Sequence, residues 1–305
     1  MKRNVSCFLF ILSMCSFVCS YGQTEPYYYL GDVNGDGIVD VSDAEFVSNM
    51  VLSAKQVPLS SVVSTTSSTD SSAKKIILGT LGDSLTEGWN TDVCYADLLK
   101  EYLGADKLCN YGVGGSCIAE NSDVAVESFS SRCSNISDDV NLLLILGGTN
   151  DFLNGVPLGN QWTTDSDGTR TLNTTSTDFY GALNKMMSDI LAKFSTTDKE
   201  VYLMTPIHCA PSGDLLGDLE RNEAGYYLED YVQAIKNVGA NFGIPVIDLF
   251  ATSGLNPNVE ANRQAFFNHK WKDTDGQILP TIPDCLHPDA NGHEKIFKTI
   301  IKYLK

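Results

Sequence analysis

The sequence is short of positive charge, of histidine and of cysteines at metal-binding spacing. Twenty-one Lys and Arg face 38 Asp and Glu, a formal charge of −17. A chain of that sign repels phosphate backbones and anionic bilayers, so nucleic acid is excluded as a partner. No Cys-x-x-Cys pair occurs among the nine cysteines, which removes zinc ribbons and thioredoxin-like redox motifs. Beyond the amino-terminal stretch no apolar run is long enough to cross a bilayer, so no transmembrane anchor is expected. With only four histidines, His208, His269, His287 and His293, imidazole acid–base chemistry has few candidates. What the sequence does have is a hydrophobic content of 43%, ample for a buried core.

The first residues, "MKRNVSCFLFILSMCSFVCSYGQ", start basic, continue through a short apolar run and end in small residues. This pattern predicts a secretory signal peptide over residues 1–22, cleaved after Ser20 or Gly22. Cys15 or Cys19 as a lipid-bearing residue is the alternative, on a poorer small-residue box. Export leaves Cys94, Cys109, Cys117, Cys133, Cys209 and Cys285. An even number suits an oxidising compartment, and several free, apolar core thiols are the other reading.

Residues 57–74 are rich in Ser and Thr and lack amphipathic periodicity, which marks a linker. From Lys75 onward short apolar runs ("IILGTL", "LCNYGV", "VNLLLILGG", "EVYLMTP", "IPVIDLF") alternate with helical patterns, and the chain closes on "NGHEKIFKTIIKYLK". Buried strands separated by helices predict a three-layer α/β/α sandwich around a parallel sheet, in which ligands sit beyond the carboxyl ends of the strands. The reactive-looking residues fall at those ends. Ser84 follows the first strand, "NYGVGGS" the second and "GGTND" the third, while "DCLHPD" precedes the last helix.

A serine hydroxyl becomes a nucleophile when a base takes its proton, a carboxylate orients that base and donors hold the oxyanion. His287 lies three residues after Asp284, a spacing that lets both face one pocket. Asp289 is a second possible carboxylate. His293 suits a helical surface position, His208 ends a strand and could line the pocket, and His269 has no obvious partner. Ser84 could instead cap a helix, Asn150 could cap one starting at Asp151, and Gly112, Gly114 and Gly115 could form only a tight turn.

Taken in order, "GDSLTEGW", the glycines of "NYGVGGS", the Asn of "GGTND" and "DCLHPD" resemble the four blocks of SGNH hydrolases, also called GDSL esterases. The resemblance covers residues 75–305 and implies a flavodoxin-like sheet. It makes Ser84 the nucleophile, His287 the general base and then acid, and Asp284 the orienting carboxylate. The backbone N–H groups of Ser84 and Gly115 and the side-chain amide of Asn150 would hold the oxyanion, and Asp83 would brace the turn. Gly114 is the alternative to Gly115, which the resemblance favours because it stands five residues after Asn110. No cofactor is implied for catalysis.

Residues 26–56 carry a second motif. "DVNGDGIVDVSD" puts Asp32, Asn34, Asp36, Asp40 and Asp43 at positions one, three, five, nine and twelve of a loop, with Gly37 at the sharp turn and the Ile38 carbonyl at position seven. Oxygen ligands so spaced wrap a calcium ion. The loop ends on Asp where a standard EF-hand has Glu. With the helix "AEFVSNMVL" behind it, the segment resembles one half of a dockerin, and by that resemblance Val41 and Ser42 would contact cohesin on a scaffold protein. A complete dockerin carries two such repeats, and one is present here. A structural calcium loop packed on the esterase is the alternative.

The sequence therefore predicts an exported serine esterase with a calcium-binding appendage. Its dockerin-like front end implies an acylated plant polysaccharide, such as acetylated xylan, as substrate. "GNQW" and "NHKW" are candidate sugar contacts. A lipase or thioesterase, and a silent esterase fold serving as a binding adaptor, are the competing readings.

Overall fold

The computed structural model describes residues 75–211, 216–268 and 284–304. The signal peptide, the calcium loop from Asp32 to Asp43, the cohesin contacts Val41 and Ser42, the linker and His269 lie outside the described residues.

Five strands form one parallel sheet: β1 (Ile77–Gly82), β2 (Lys107–Gly112), β3 (Leu142–Leu146), β6 (Glu200–Met204) and β7 (Val246–Ile247), in the order β2-β1-β3-β6-β7. These are the five apolar runs seen in the sequence, and the order is that of a flavodoxin-like sheet. The register pairs Leu78 of β1 with Leu142 of β3, and Leu142 with Glu200 of β6.

Both faces of the central strands are covered, and alternate residues go to opposite sides. On β3, Leu143 and Ile145 join a core with Phe129, Phe179, Met186, Ile235 and Val238. Leu142, Leu144 and Leu146 join another with Tyr95, Leu99, Phe267, Ile296 and Ile300. Helix α5 (Phe179–Lys193) explains the first layer, because Phe179, Ala182, Leu183, Met186, Met187 and Ile190 recur at one-turn spacing on its buried side. Its first turn is capped by Asp178, whose carboxylate accepts the Gly181 N–H. Helix α6 (Leu228–Phe242) covers the same face, while α2 (Tyr95–Leu103) and the closing helix α9 (Ala290–Ile300) cover the other. β2 is at the sheet edge and only partly buried, which its Lys107 and Asn110 accommodate.

The sequence reading missed an antiparallel pair, β4 (Trp162–Thr164) with β5 (Arg170–Leu172). Strands so short carry little periodicity. Trp162 of the "GNQW" segment stands on this hairpin with the Arg170 guanidinium 4.7 Å from its ring centre. Short helices occur at Ser84 and Asn150 as anticipated, α1 (Ser84–Glu87) and α4 (Thr149–Leu153), while two others of four residues, α3 (Phe129–Arg132) and α7 (Leu249–Thr252), were missed. A further helix, α8 (Glu260–Phe266), precedes the final segment. Among the described residues Cys94, Cys109, Cys117, Cys133 and Cys209 are free thiols, and all of these but Cys109 are buried, as small apolar core residues are. No described helix is long and apolar enough to cross a membrane.

Candidate active site

The chain leaves β1 at Gly82 and turns through Asp83 into α1. Asp83 is the helix cap, its carboxylate accepting the Leu85 N–H at 3.0 Å. Ser84 is therefore the first helical residue and caps nothing. Its hydroxyl lies 2.9 Å from His287 Nε2. The Ser84 N–H, in the first turn of the helix, has no hydrogen-bond partner among the described residues. Glycine is required before this turn, since a Cβ on Gly82 would sit 1.8 Å from Thr86 Oγ1. It is equally required at Gly112, where a Cβ would lie 2.1 Å from the backbone nitrogen of Glu87. That closeness brings the end of β2 against α1.

His287 reaches Ser84 from the loop before α9. Its Nδ1 is 2.8 Å from Asp284 Oδ2, while Asp284 Oδ1 accepts the N–H groups of Leu286 at 2.7 Å and His287 at 3.0 Å. One carboxylate thus folds its own loop and fixes the imidazole. Burial pushes the Asp284 carboxyl up, but the His287 contact and the two N–H groups outweigh it and leave the acid below its ordinary value. Asp289 does different work, capping α9 through the Gly292 N–H at 3.0 Å. The Trp89 ring lies against His287 with centroids 4.4 Å apart. Nothing in the sequence had singled Trp89 out.

The two glycines left open by the sequence behave differently. The Gly114 N–H donates to the Glu87 carboxylate at 2.8 Å. Gly115 adopts φ +75°, a left-handed conformation that favours glycine, and its N–H has no partner among the described residues. Asn150 sits within α4, whose cap is Gly148, so it does not cap a helix. Its amide nitrogen lies 3.2 Å from the Ser116 carbonyl and 3.4 Å from Asp83 Oδ2. Ser84, Gly115 and Asn150 thus come from the carboxyl ends of β1, β2 and β3, around the point where the strand order reverses.

A profile of GDSL-like lipases and acylhydrolases matches residues 80–295. The chain belongs to that family. Family membership makes this GDSL hydrolase an ester hydrolase by class. Among solved structures, a protein from Lactobacillus plantarum is 23% identical, with a TM-score of 0.59 over 75% of this chain and 96% of that one. A possible lipase from Chitinophaga pinensis is 20% identical, with a TM-score of 0.53 over 75% and 98%. A third structure is 28% identical, with a TM-score of 0.61 over 75% and 96%. At the identities of the first two, the likeness is one of fold. No curated protein matches the chain significantly.

Beneath the GDSL hydrolase's Ser-His-Asp array lies a buried polar layer that the sequence did not reveal. Arg132 of α3 donates to the Gly82 carbonyl at 2.6 Å, to Ser116 Oγ at 2.9 Å and to the Tyr111 carbonyl. It ties the ends of β1 and β2 to the glycine loop. Asp151, fully buried, accepts the N–H groups of Ile118 at 2.8 Å and Ala119 at 2.9 Å. Burial pushes Asp151 up to about 7 and Asp83 up to about 6, against the hydrogen bonds each accepts. A single arginine in a four-residue helix leaves no readable pattern, so only the structure could identify Arg132.

One histidine departs from expectation. His293 was expected on a helix surface but is buried, 1% exposed, with its Nδ1 accepting the Tyr95 N–H at 3.3 Å. The apolar positions Ile296 and Ile300 share its face of α9, so the helix buries the stripe that includes it. His208 pairs with the buried Asp218 through Nδ1. Among the described residues no cluster of His, Cys, Asp and Glu could hold a metal ion, which leaves the calcium loop untouched because it lies elsewhere.

Proposed function

We propose that this GDSL hydrolase is an exported serine esterase that removes small acyl groups, acetyl first among them, from plant polysaccharide such as xylan through an acyl-enzyme. The observation that carries the mechanism is the continuous contact from Ser84 Oγ to His287 Nε2 at 2.9 Å and from His287 Nδ1 to Asp284 at 2.8 Å. In this reading His287 takes the Ser84 proton as Oγ attacks the ester carbonyl, and Asp284 steadies the imidazolium. The N–H groups of Ser84 and Gly115 and the amide of Asn150 receive the charge that develops on the carbonyl oxygen. His287 then returns the proton to the leaving alcohol. Water, activated by the same imidazole, releases the acid.

Support for a hydroxyl-rich substrate comes from the surface beside α4. A cavity of about 690 Å³ begins at Asn154, one turn past Asn150, and is walled largely by polar groups including Glu120, Asn121, Ser122, Ser131 and Glu223. Such walls suit sugar hydroxyls better than a long acyl chain, although Ser84 is not among them. Rates on 4-nitrophenyl esters of rising chain length, together with acetate release from acetylated xylan, test the reading. The acetyl ester is expected to exceed the octanoyl ester by about tenfold or more in kcat/KM. A preference for long chains would put the lipase reading ahead, and a folded protein inactive on every ester would favour the adaptor.

The appendage enters the proposal on residue spacing alone. Asp32, Asn34, Asp36, Asp40, Asp43 and the Ile38 carbonyl would hold one calcium ion, and Val41 and Ser42 would meet a cohesin-bearing scaffold. Calorimetric calcium titration of the whole chain should show one site that Asp32→Ala with Asp36→Ala removes. Heat identical in parent and variant would dispose of the loop as a calcium site.

A further inference from the structure

A second His-Asp pair stands at the same sheet edge and takes no part in the contacts of Ser84. His208 follows β6, and its Nδ1 is bonded to Asp218 Oδ2. The other oxygen of Asp218 accepts from Asn258 Nδ2 at 2.7 Å. The same Asn258 nitrogen lies 3.3 Å from the Cys209 carbonyl. Phe250 closes one face of the imidazole, with ring centroids 3.8 Å apart. The Asp218 side chain is 2% exposed and that of His208 is 22% exposed. The ring is therefore held by a carboxylate and an aromatic face, while Nε2 has no hydrogen-bond partner among the described residues.

Its position bears on the reaction. Two residues beyond His208, the Ala210 N–H donates to the Cys285 carbonyl at 2.9 Å. Cys285 itself lies between Asp284 and His287 in the loop that reaches Ser84. The His208 segment thus runs alongside the catalytic loop, at the carboxyl end of the strand next to β3. The solvent-facing tip of this half-buried imidazole adds little to stability, and ordering the side chain has an entropic cost. Rigid support of a polar tip is what substrate positioning requires.

The geometry points to His208 as a substrate-positioning residue whose Nε2 hydrogen-bonds a hydroxyl on the alcohol side of the ester, that is, on the sugar ring carrying the acyl group. This rests on the esterase reading above. With the proton on Nδ1 facing Asp218, Nε2 accepts from a hydroxyl. An acetyl methyl offers nothing to such a group, so the contact selects for the alcohol portion.

The test compares the parent, His208→Gln and Asp218→Asn on an acetylated xylo-oligosaccharide and on 4-nitrophenyl acetate, whose alcohol has no further hydroxyl. For His208→Gln the oligosaccharide KM should rise about tenfold relative to the nitrophenyl KM, the effect of one lost hydrogen bond. Asp218→Asn should raise it by a smaller factor. An unchanged KM ratio in both variants overturns the assignment, as does a loss confined to kcat. Calorimetry of the deacetylated oligosaccharide on Ser84→Ala, with and without His208→Gln, reads the same contact without turnover. About tenfold weaker binding in the double variant supports the assignment and equal binding overturns it. Failure of the esterase reading would show separately, as a folded parent that cleaves neither ester.

Discussion

Ser84→Ala is expected to lower kcat on a chromogenic acetyl ester by a factor on the order of 10⁶, with the melting temperature nearly unchanged. The size of the effect follows from what is removed. The Oγ that lies 2.9 Å from His287 is the only atom in the array able to form the acyl-enzyme. The retained stability follows from the capping arrangement. Asp83, not Ser84, satisfies the open first turn of α1 through the Leu85 N–H, so alanine at position 84 leaves the cap in place. Circular dichroism with single-turnover kinetics checks both parts. A variant that keeps a tenth or more of the parent rate would return Ser84 to a structural role.

Asp284→Asn is the sharper test of how the imidazole is held. Asparagine can still accept the Leu286 and His287 N–H groups through its oxygen, so the loop geometry should persist. Its amide nitrogen then faces His287 Nδ1, where a carboxylate oxygen stood at 2.8 Å. An N–H donor there favours the tautomer with the proton on Nε2, and that nitrogen can no longer take a proton from Ser84. The expected loss in kcat is about 10⁴-fold. Asp284→Ala would mix this effect with loss of the loop bonds. If Asp284→Asn retains activity within a factor of ten, the carboxylate serves only to fold the loop, and His287 must be oriented by another group.

Much of this protein was legible before any coordinate. The five strands were readable because a parallel sheet covered on both faces needs uninterrupted apolar runs, and "NLLLILGG" or "EVYLMTP" has few other uses. The long helices were readable from one-turn spacing, as in α5. The candidate nucleophile, base and carboxylate were readable because each follows or precedes an element at the sheet's carboxyl end. Polar residues concentrated there are difficult to explain as core.

Other features were open in the sequence and were settled by packing. Whether Asp83 or Ser84 caps α1, and whether Asp284 or Asp289 faces His287, depends on turns whose residues suit either role. Gly114 and Gly115 are chemically identical, and only the carboxylate of Glu87, brought across from α1, separates a committed N–H from a free one. His293 read as a surface residue because its neighbours Gly292, Glu294 and Lys295 are small or charged, yet its register with Ile296 and Ile300 turns it inward. Arg132 and Trp89 had no local signature, and His208 was visible only as a residue after a strand, without its partner Asp218. Their partners lie tens to hundreds of residues away or carry no motif, and sequence periodicity reports only which way a residue faces. The sequence by itself determined the fold class, the family and the residues available for ester chemistry. The tertiary structure decided which donors remain free and which histidine reaches the serine, because those depend on contacts between chain segments that only the folded sheet brings together.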